Sequence, residues 1–537
     1  MADDLAGRLK TSLGLASLQT ANDAFTKMEN LTTSFEAFKF YLQGYQTMLV
    51  DPFDVSIISY FRKAVAADPQ FALAYVMMAG QYFSIGQARE GRLQIKKAFE
   101  LRGWVSELER LFIEGEFYSY TSEKAWDKAV DAFSRLITLY PSDQFINAEF
   151  GWLYYRMEEW DKAIERFEVL RQFRSKNSGV CQLLAWSYLA KGQTDEARGT
   201  LESYLTSSGD NNHIRANLGL VYCITGDLEK AGKEITLAYD RPDPTGDKWY
   251  KFLYLLRIKD FAAVDAFVQQ WEAELGASPE GLVTNFGTSS TSLALQGKIS
   301  EAVSSIGRDI EKYRTSAEEG DPYWNESRLA YFLEKTGDFS KALSVCERSF
   351  QLARKWGEGL NECLALYRRG AIQARLGKFE DARRSAEELR QAIESGSVKK
   401  RSMYYLGLLG VISFHQKKID QARDYFQKAL PLMGINMVLD NRLEILDYLA
   451  ETYQQAGRWA EAAKAYEDIL SHESIFPFGP AEPLIYARSI YKLGKVLEHM
   501  GDKASAAAKY RKFLDLWKNA DSGLPEVEDA KKRLAAL

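Results

Sequence analysis

Histidine and cysteine are both scarce in this chain, with four of each among 537 residues. The cysteines, Cys181, Cys223, Cys346 and Cys363, have no short paired spacing, which excludes a zinc knuckle and a disulfide scaffold. They read as small core residues of a protein kept in a reducing compartment, so a cytoplasmic location is expected. His213, His415, His472 and His499 fall in separate regions, none at metal-ligand spacing from another histidine or a cysteine. A basic excess is also missing: 69 Lys and Arg face 74 Asp and Glu, a formal charge of -5. Without that excess, nucleic acid is a poor partner, because phosphate binding rests on cations. The short run Lys399-Lys400-Arg401 is expected to be a solvated loop. No run reaches the roughly 18 apolar residues of a membrane span, and the acidic start Met1-Ala-Asp-Asp is unlike a secretory signal. Gly297-Lys298 and Gly494-Lys495 lack the upstream glycine of a phosphate loop. Carboxylates alternate with lysines, as in Glu158-Glu159 and Lys162 or Asp227 and Lys230, the pattern of paired, solvated helix faces. No catalytic residue, cofactor site or metal site is therefore expected.

What is abundant is a recurring pair of small residues twelve positions apart. It occurs at Ala79/Gly91, Gly151/Ala163, Ala185/Ala197, Gly219/Ala231, Ser290/Ala302, Ala330/Ala342, Gly370/Ala382, Gly410/Ala422, Ala450/Ala462 and Gly494/Ala506. A glycine or polar turn residue usually lies between the two, as at Gly192, Gly226, Gly297, Gly337, Gly377 and Gly457. Each unit thus reads as two helices around a tight turn, with the small residues allowing close backbone approach. Prolines are few, 12 in all, and Pro69 and Pro141 stand where one unit gives way to the next. The fold class is all-α, an α-solenoid of stacked helical hairpins whose core grows with each unit.

Spacing divides the array. Residues 1–33 are expected to be a lead-in helix with Leu5, Leu9 and Leu13 on one face. Residues 34–240 form a first array with a 34-residue period, as from Ala163 to Ala197 to Ala231. Residues 241–281 are a degenerate junction, opening with the turn formers of Arg241-Pro-Asp-Pro-Thr-Gly-Asp247. Residues 282–516 form a second array, in which Ala302, Ala342, Ala382, Ala422 and Ala462 recur every 40 residues. Residues 517–537 supply a capping helix with Val527, Ala530, Leu534 and Leu537 inward.

Binding is the better prospect than chemistry. Side chains one or four positions beyond the first small residue of a hairpin can point into the concave groove. The aromatic candidates at those offsets are Trp152, Tyr155, Trp186, Tyr331 and Phe414. Aromatic anchors bury large area against a peptide, although such positions also pack against the neighbouring unit. Leu220, Cys223 and Val411 share the offsets, and Asp447, Glu451, Gln454 and Lys495 offer polar groups without forming a cationic clamp for carboxylates.

The motifs Leu218-Gly219/Tyr222/Gly226/Ala231/Ala238, Gly151/Tyr154/Ala163/Phe167 and Ala450/Tyr453/Gly457/Ala462/Tyr466 resemble the tetratricopeptide repeat. That resemblance implies a right-handed superhelical solenoid of about 12–13 repeats and a non-catalytic scaffold that binds a partner protein or an extended segment of one. Phe40-Tyr-Leu-Gln-Gly44, Asp68-Pro-Gln-Phe-Ala-Leu-Ala74, Leu111-Phe-Ile-Glu-Gly115 and Trp517-Lys-Asn-Ala-Asp-Ser-Gly-Leu-Pro-Glu-Val527 also resemble the repeat-bearing C-terminal halves of bacterial multidomain signalling proteins. This second resemblance implies a docking subunit of a kinase or cyclase system, with residues 1–33 the remnant of an upstream module. It lends no catalytic residue, since Asp338-Phe339 is followed by Ser340 and no His-Arg-Asp segment exists. Self-assembly into oligomers or filaments through apolar array ends is the remaining alternative.

Overall fold

The computed structural model describes residues 32–50, 54, 56–84, 87–172, 178–239, 248–275, 287–316, 323–396, 398–433, 442–471 and 482–537. Most of the expected lead-in helix and the segments 241–247 and 276–281 of the expected junction lie outside these residues. The described residues hold 27 α-helices and no strand. Those helices form thirteen successive hairpins and one terminal helix, Pro525–Ala536. This is an all-α solenoid of stacked hairpins.

The small-residue pairs mark where the two helices of a hairpin meet. In the hairpin of Gln144–Arg156 and Trp160–Gln172, a Cβ added to Gly151 would come to 2.5 Å from the Phe167 ring. A Cβ on Gly410 would overlap the ring of Phe426, and one on Gly494 would reach 2.7 Å from Tyr510. Each ring stands four positions beyond the second small residue, so one helix presents a notch and the other an alanine followed by a bulky plug. Ala163, Ala422 and Ala506 are wholly buried at these crossings. The turn between the helices repeats as well. Gly226 closes Asn212–Thr225 with φ +81°, a left-handed cap that glycine adopts without steric cost. Helix starts carry the expected chemistry: the Asp143 carboxylate accepts from the Ile146 N–H at 2.8 Å, just after Pro141.

The chain divides into two compact units. One comprises the described residues up to Thr121 together with Ala125–Leu184, and the other Ser122–Lys124 with Ala185–Leu537. In each, first helices of successive hairpins pack on one another, Ala72–Ser84 on Glu107–Thr121 in the first unit and Gly359–Arg375 on Ser402–His415 in the second. First helices therefore form the inner layer of the stack and second helices the outer. In the second unit the helices Lys248–Ile258 and Phe261–Leu275 occupy the expected junction, pairing as a hairpin without the small-residue pair and turning at Lys259, φ +60°. The basic run expected to be a solvated loop forms instead a short 3-10 helix, Lys399–Arg401, with Arg401 buried, because it leads directly into the packed Ser402–His415 helix.

The second unit also closes on itself. The Trp517 indole N–H donates to the Leu295 carbonyl at 3.2 Å, the Asp521 N–H donates to the Gly297 carbonyl at 3.1 Å, and the Asp521 carboxylate accepts from the Ser300 N–H at 2.9 Å. Asp521 thus caps Ile299–Ser316 from more than 200 residues away in sequence. Trp517 is 1% exposed in this seam, and Glu482–His499 packs against Thr288–Leu295 beside it. In the terminal helix Ala530 is fully buried and Val527 and Leu534, with Leu537 after it, pack on the core. Substituting Gly410→Leu drives a side chain into Phe426 and is expected to cost about 1–3 kcal/mol or more, read as a lowered urea midpoint. An unchanged midpoint would contradict the notch-and-plug register.

Candidate protein-binding surface

The five aromatic candidates all stand on first helices, but the structure does not bring them together. Trp152 and Tyr155 project from Gln144–Arg156 in the first unit. Both are half-buried, and their rings stack with centroids 5.5 Å apart and planes 10° from parallel. Trp160 meets Tyr155 edge-on at 5.3 Å and fixes its orientation. Trp186 belongs to the second unit and is committed inside it. Its indole N–H donates to Asn217 Oδ1 at 2.8 Å, an oxygen that also accepts from the Tyr250 hydroxyl at 3.0 Å. Tyr331 and Phe414, at 1% and 6% exposure, belong to the interior and present no surface to a ligand.

Phe414 meets the Tyr448 ring edge-on at 5.5 Å, and Tyr331 lies beneath an ionic layer on the inner side of the second unit. Arg368, 2% exposed, makes a bidentate pair with Glu444 at 2.8 and 2.9 Å and reaches Glu334 at 3.4 Å. Glu334 also accepts from Lys335 and Arg375, each at 3.1 Å. One layer on, Lys492 donates to both oxygens of Asp447, at 2.7 and 2.8 Å, and to Glu451 at 2.7 Å. The guanidinium of Arg368 lies 4.9 Å from the centroid of Tyr331, placing the predicted anchor beneath the charge network. Burial alone would raise the Glu334 carboxyl, yet Lys335, Arg368 and Arg375 outweigh it and hold it down at about 2. Burial likewise opposes the charge of Arg368, and Glu444 and Glu334 more than compensate. Asp447 and Glu451 were legible as polar inner positions, whereas their cation is Lys492; Lys495 instead lies over the Tyr491 ring at 5.6 Å.

The first unit carries the opposite electrostatics around Trp152. Glu149, Trp152 and Arg156 follow one another at helical spacing on Gln144–Arg156, and Glu116 and Tyr120 do so on Glu107–Thr121. Glu116 is 5% exposed and Glu149 half-buried. Burial pushes the Glu149 carboxyl up to about 7. It pushes Glu116 well above the carboxylate range too, with the neighbouring Glu149 adding to the rise and Arg156 opposing it. The Arg156 guanidinium is engaged elsewhere, donating to the Ser119 carbonyl at 2.8 Å and lying 5.0 and 5.2 Å from the ring centroids of Tyr120 and Trp126. Tyr120 stacks on Phe83 at 4.1 Å, and the Trp152 indole faces its hydroxyl. The offsets that singled out Trp152 would also have selected Glu116, one position beyond Gly115. The signal was hidden because the turn Glu123–Ala125 lengthens this hairpin, so Gly115 pairs across it with Ala129 rather than with a small residue twelve positions on.

Among the described residues no group of three or more His, Cys, Asp or Glu is placed to hold a metal, and no helix is long and apolar enough to cross a membrane.

Two measurements test this electrostatic contrast. Arg368→Leu leaves Glu444 buried without its cation and is expected to cost about 3–5 kcal/mol in urea unfolding, while Arg368→Leu/Glu444→Leu recovers most of that loss. Equal losses in single and double variants would refute the pairing. Glu149, facing Glu116, Tyr120 and Arg156, has a folded-state value raised from 4.5 to about 7. The fold then holds a proton that the unfolded chain has released, so this contribution to stability is complete below 4.5 and is lost as pH rises through 7. Wild type is expected to lose stability relative to Glu149→Gln as pH rises from 4.5 to about 7 and to change little beyond it; a difference independent of pH would exclude the shift.

Family models of the tetratricopeptide repeat match residues 183–247, 367–432 and 449–521, and 323–395 and 401–472. No curated protein matches the chain. Among solved structures the chain is similar to a human IFIT1 dimer with PPP-AAAA, at 15% identity and a TM-score of 0.36, over 81% of this chain and 90% of that one. It is similar to the Cut9–Hcn1 hetero-tetramer of APC/C at 14% identity and a TM-score of 0.32, over 93% and 96%. A tetratricopeptide repeat protein from Parabacteroides merdae shows 14% identity and a TM-score of 0.29 over 65% of this chain and 94% of its own. The internal repeat, the thirteen hairpins and the matched family models converge: this chain is a tetratricopeptide-repeat-containing protein, its repeats recognised in residues 183–247 and 323–521.

Proposed function

We propose that the chain is a non-catalytic scaffold that holds a partner protein, or an extended segment of one, against the first helices of its hairpins. The observation that carries this reading is the half-buried pair Trp152 and Tyr155, stacked on an inner helix of the first unit and held by Trp160. Rigid aromatic surface of this kind contributes contact area at low ordering cost. The second unit supports the same assignment by contrast: its inner layer is occupied by its own ion pairs, which favour rigidity over binding. Service to a kinase or cyclase system is a narrower form of the scaffold reading, decided by the identity of the partner.

Tagged wild type and Trp152→Ala/Tyr155→Ala are to be used to capture proteins from native cell extract, with recovery quantified by mass spectrometry. A stoichiometric partner whose recovery falls at least about fivefold with the double variant, at little change in thermal midpoint, is the expected result. Undiminished capture would move the site elsewhere, and a large assembly of this chain alone would replace the scaffold by self-assembly.

A further inference from the structure

Four carboxylates on the inner layer of the second unit have found their counter-ions, and among the described residues two on the inner layer of the first unit have not. Glu334, Glu444, Asp447 and Glu451 each lie within 2.7–3.4 Å of a basic nitrogen. Glu116 has no hydrogen bond or ion pair among the described residues although it is 95% removed from solvent, and Glu149 beside it likewise has neither. A desolvated carboxylate without a donor is costly to ionise, and each of the two opposes ionisation of the other. Arg156, whose charge opposes the rise of Glu116, makes no ion pair with either carboxylate: it spends a donor on the Ser119 carbonyl and lies over the rings of Tyr120 and Trp126.

The surroundings supply what a cation would need. Tyr120 and Trp152 flank the carboxylates with aromatic surface, and Tyr155 extends that surface along the same helix. Aromatic faces beside carboxylates receive an ammonium or guanidinium group by combined ion pairing and cation–π attraction. A metal ion fits poorly, because among the described residues the cluster offers two carboxylates and no third His, Cys, Asp or Glu. An anionic or purely apolar occupant would leave Glu116 as it is.

We propose that Glu116 and Glu149, walled by Tyr120 and Trp152, form a subsite for a basic side chain, lysine or arginine, of the segment held by the first unit. The inference rests on the scaffold reading and adds the chemistry of the partner: an extended segment with a basic residue placed next to the Trp152–Tyr155 surface. The incoming cation does for Glu116 and Glu149 what Lys492 does for Asp447 and Glu451 in the other unit. Discrimination follows from the same unmet charge, since a neutral side chain in this position leaves both carboxylates unpaired.

The test uses the full chain and a displayed library of random peptides. Selected peptides are expected to share a lysine or arginine at one position, and its replacement by glutamine should weaken binding about tenfold or more in fluorescence anisotropy. Against Glu116→Gln/Glu149→Gln the basic and glutamine peptides should bind within about twofold of each other. The thermal midpoint of that variant should be no lower than wild type, because it removes desolvated acids. Should the double variant fail to fold, Glu149→Gln alone, at the more open carboxylate, must reduce the preference. Peptides selected without a basic residue, or a preference that survives the substitutions, would overturn the subsite and leave the aromatic groove standing. A library that yields no binder at all would count against the groove itself.

Discussion

The close approach of two helices at a residue with no side chain to spare is the constraint on which this molecule depends. Gly151 against Phe167, Gly410 against Phe426 and Gly494 against Tyr510 are versions of one contact, in which an aromatic plug fills a notch cut by glycine. The contact fixes how far apart the helices of a hairpin lie and therefore which side chains of the first helix are left to face the next hairpin. The notch recurs along the array, although the hairpin of Lys248–Ile258 and Phe261–Leu275 forms without the small-residue pair, and stability accumulates as hairpins stack.

What the inner layer does differs between the units, although the helices are made alike. In the second unit the inner positions carry Glu334, Arg368, Glu444, Asp447, Glu451 and Lys492, and the charges are matched within the unit. Buried ion pairs add little net stability once desolvation is counted, but they penalise any register that separates them. The seam at Trp517 and Asp521 imposes a second condition, since it joins elements more than 200 residues apart in sequence. Together these features fit a body whose inner side is already occupied. The first unit places Trp152 and Tyr155 on its inner side with two carboxylates nearby that have no hydrogen bond or ion pair among the described residues, and this contrast is what the proposed scaffold reading rests on.

The architecture is specified by a few small and aromatic positions per repeat. Most remaining positions are free to differ, which is why the repeat identifies the fold and leaves the ligand to the side chains between the notches.

Hairpin order, turn positions and the terminal cap were legible in the chain, because they depend on contacts within one hairpin or between neighbours, and the spacing of small residues and glycines encodes such contacts directly. Trp152 and Tyr155 were legible for the same reason, through their offset from Gly151. Glu116 was not, since the Glu123–Ala125 turn shifts its hairpin out of the common spacing. Tyr331 and Phe414 stand at equivalent offsets yet are buried, and no local rule separates them from Trp152. Their burial depends on helices distant in sequence: Arg368 lies 4.9 Å from the Tyr331 ring centroid, and Phe414 meets Tyr448 edge-on at 5.5 Å. The sequence by itself determined the repeat and the layer to which each helix belongs, because those follow from short-range periodicity. Only the tertiary structure decided which inner side chains are spent on the protein's own charges and which stay unmatched, because charge pairing and burial are set by distances between helices that the chain separates by tens to hundreds of residues.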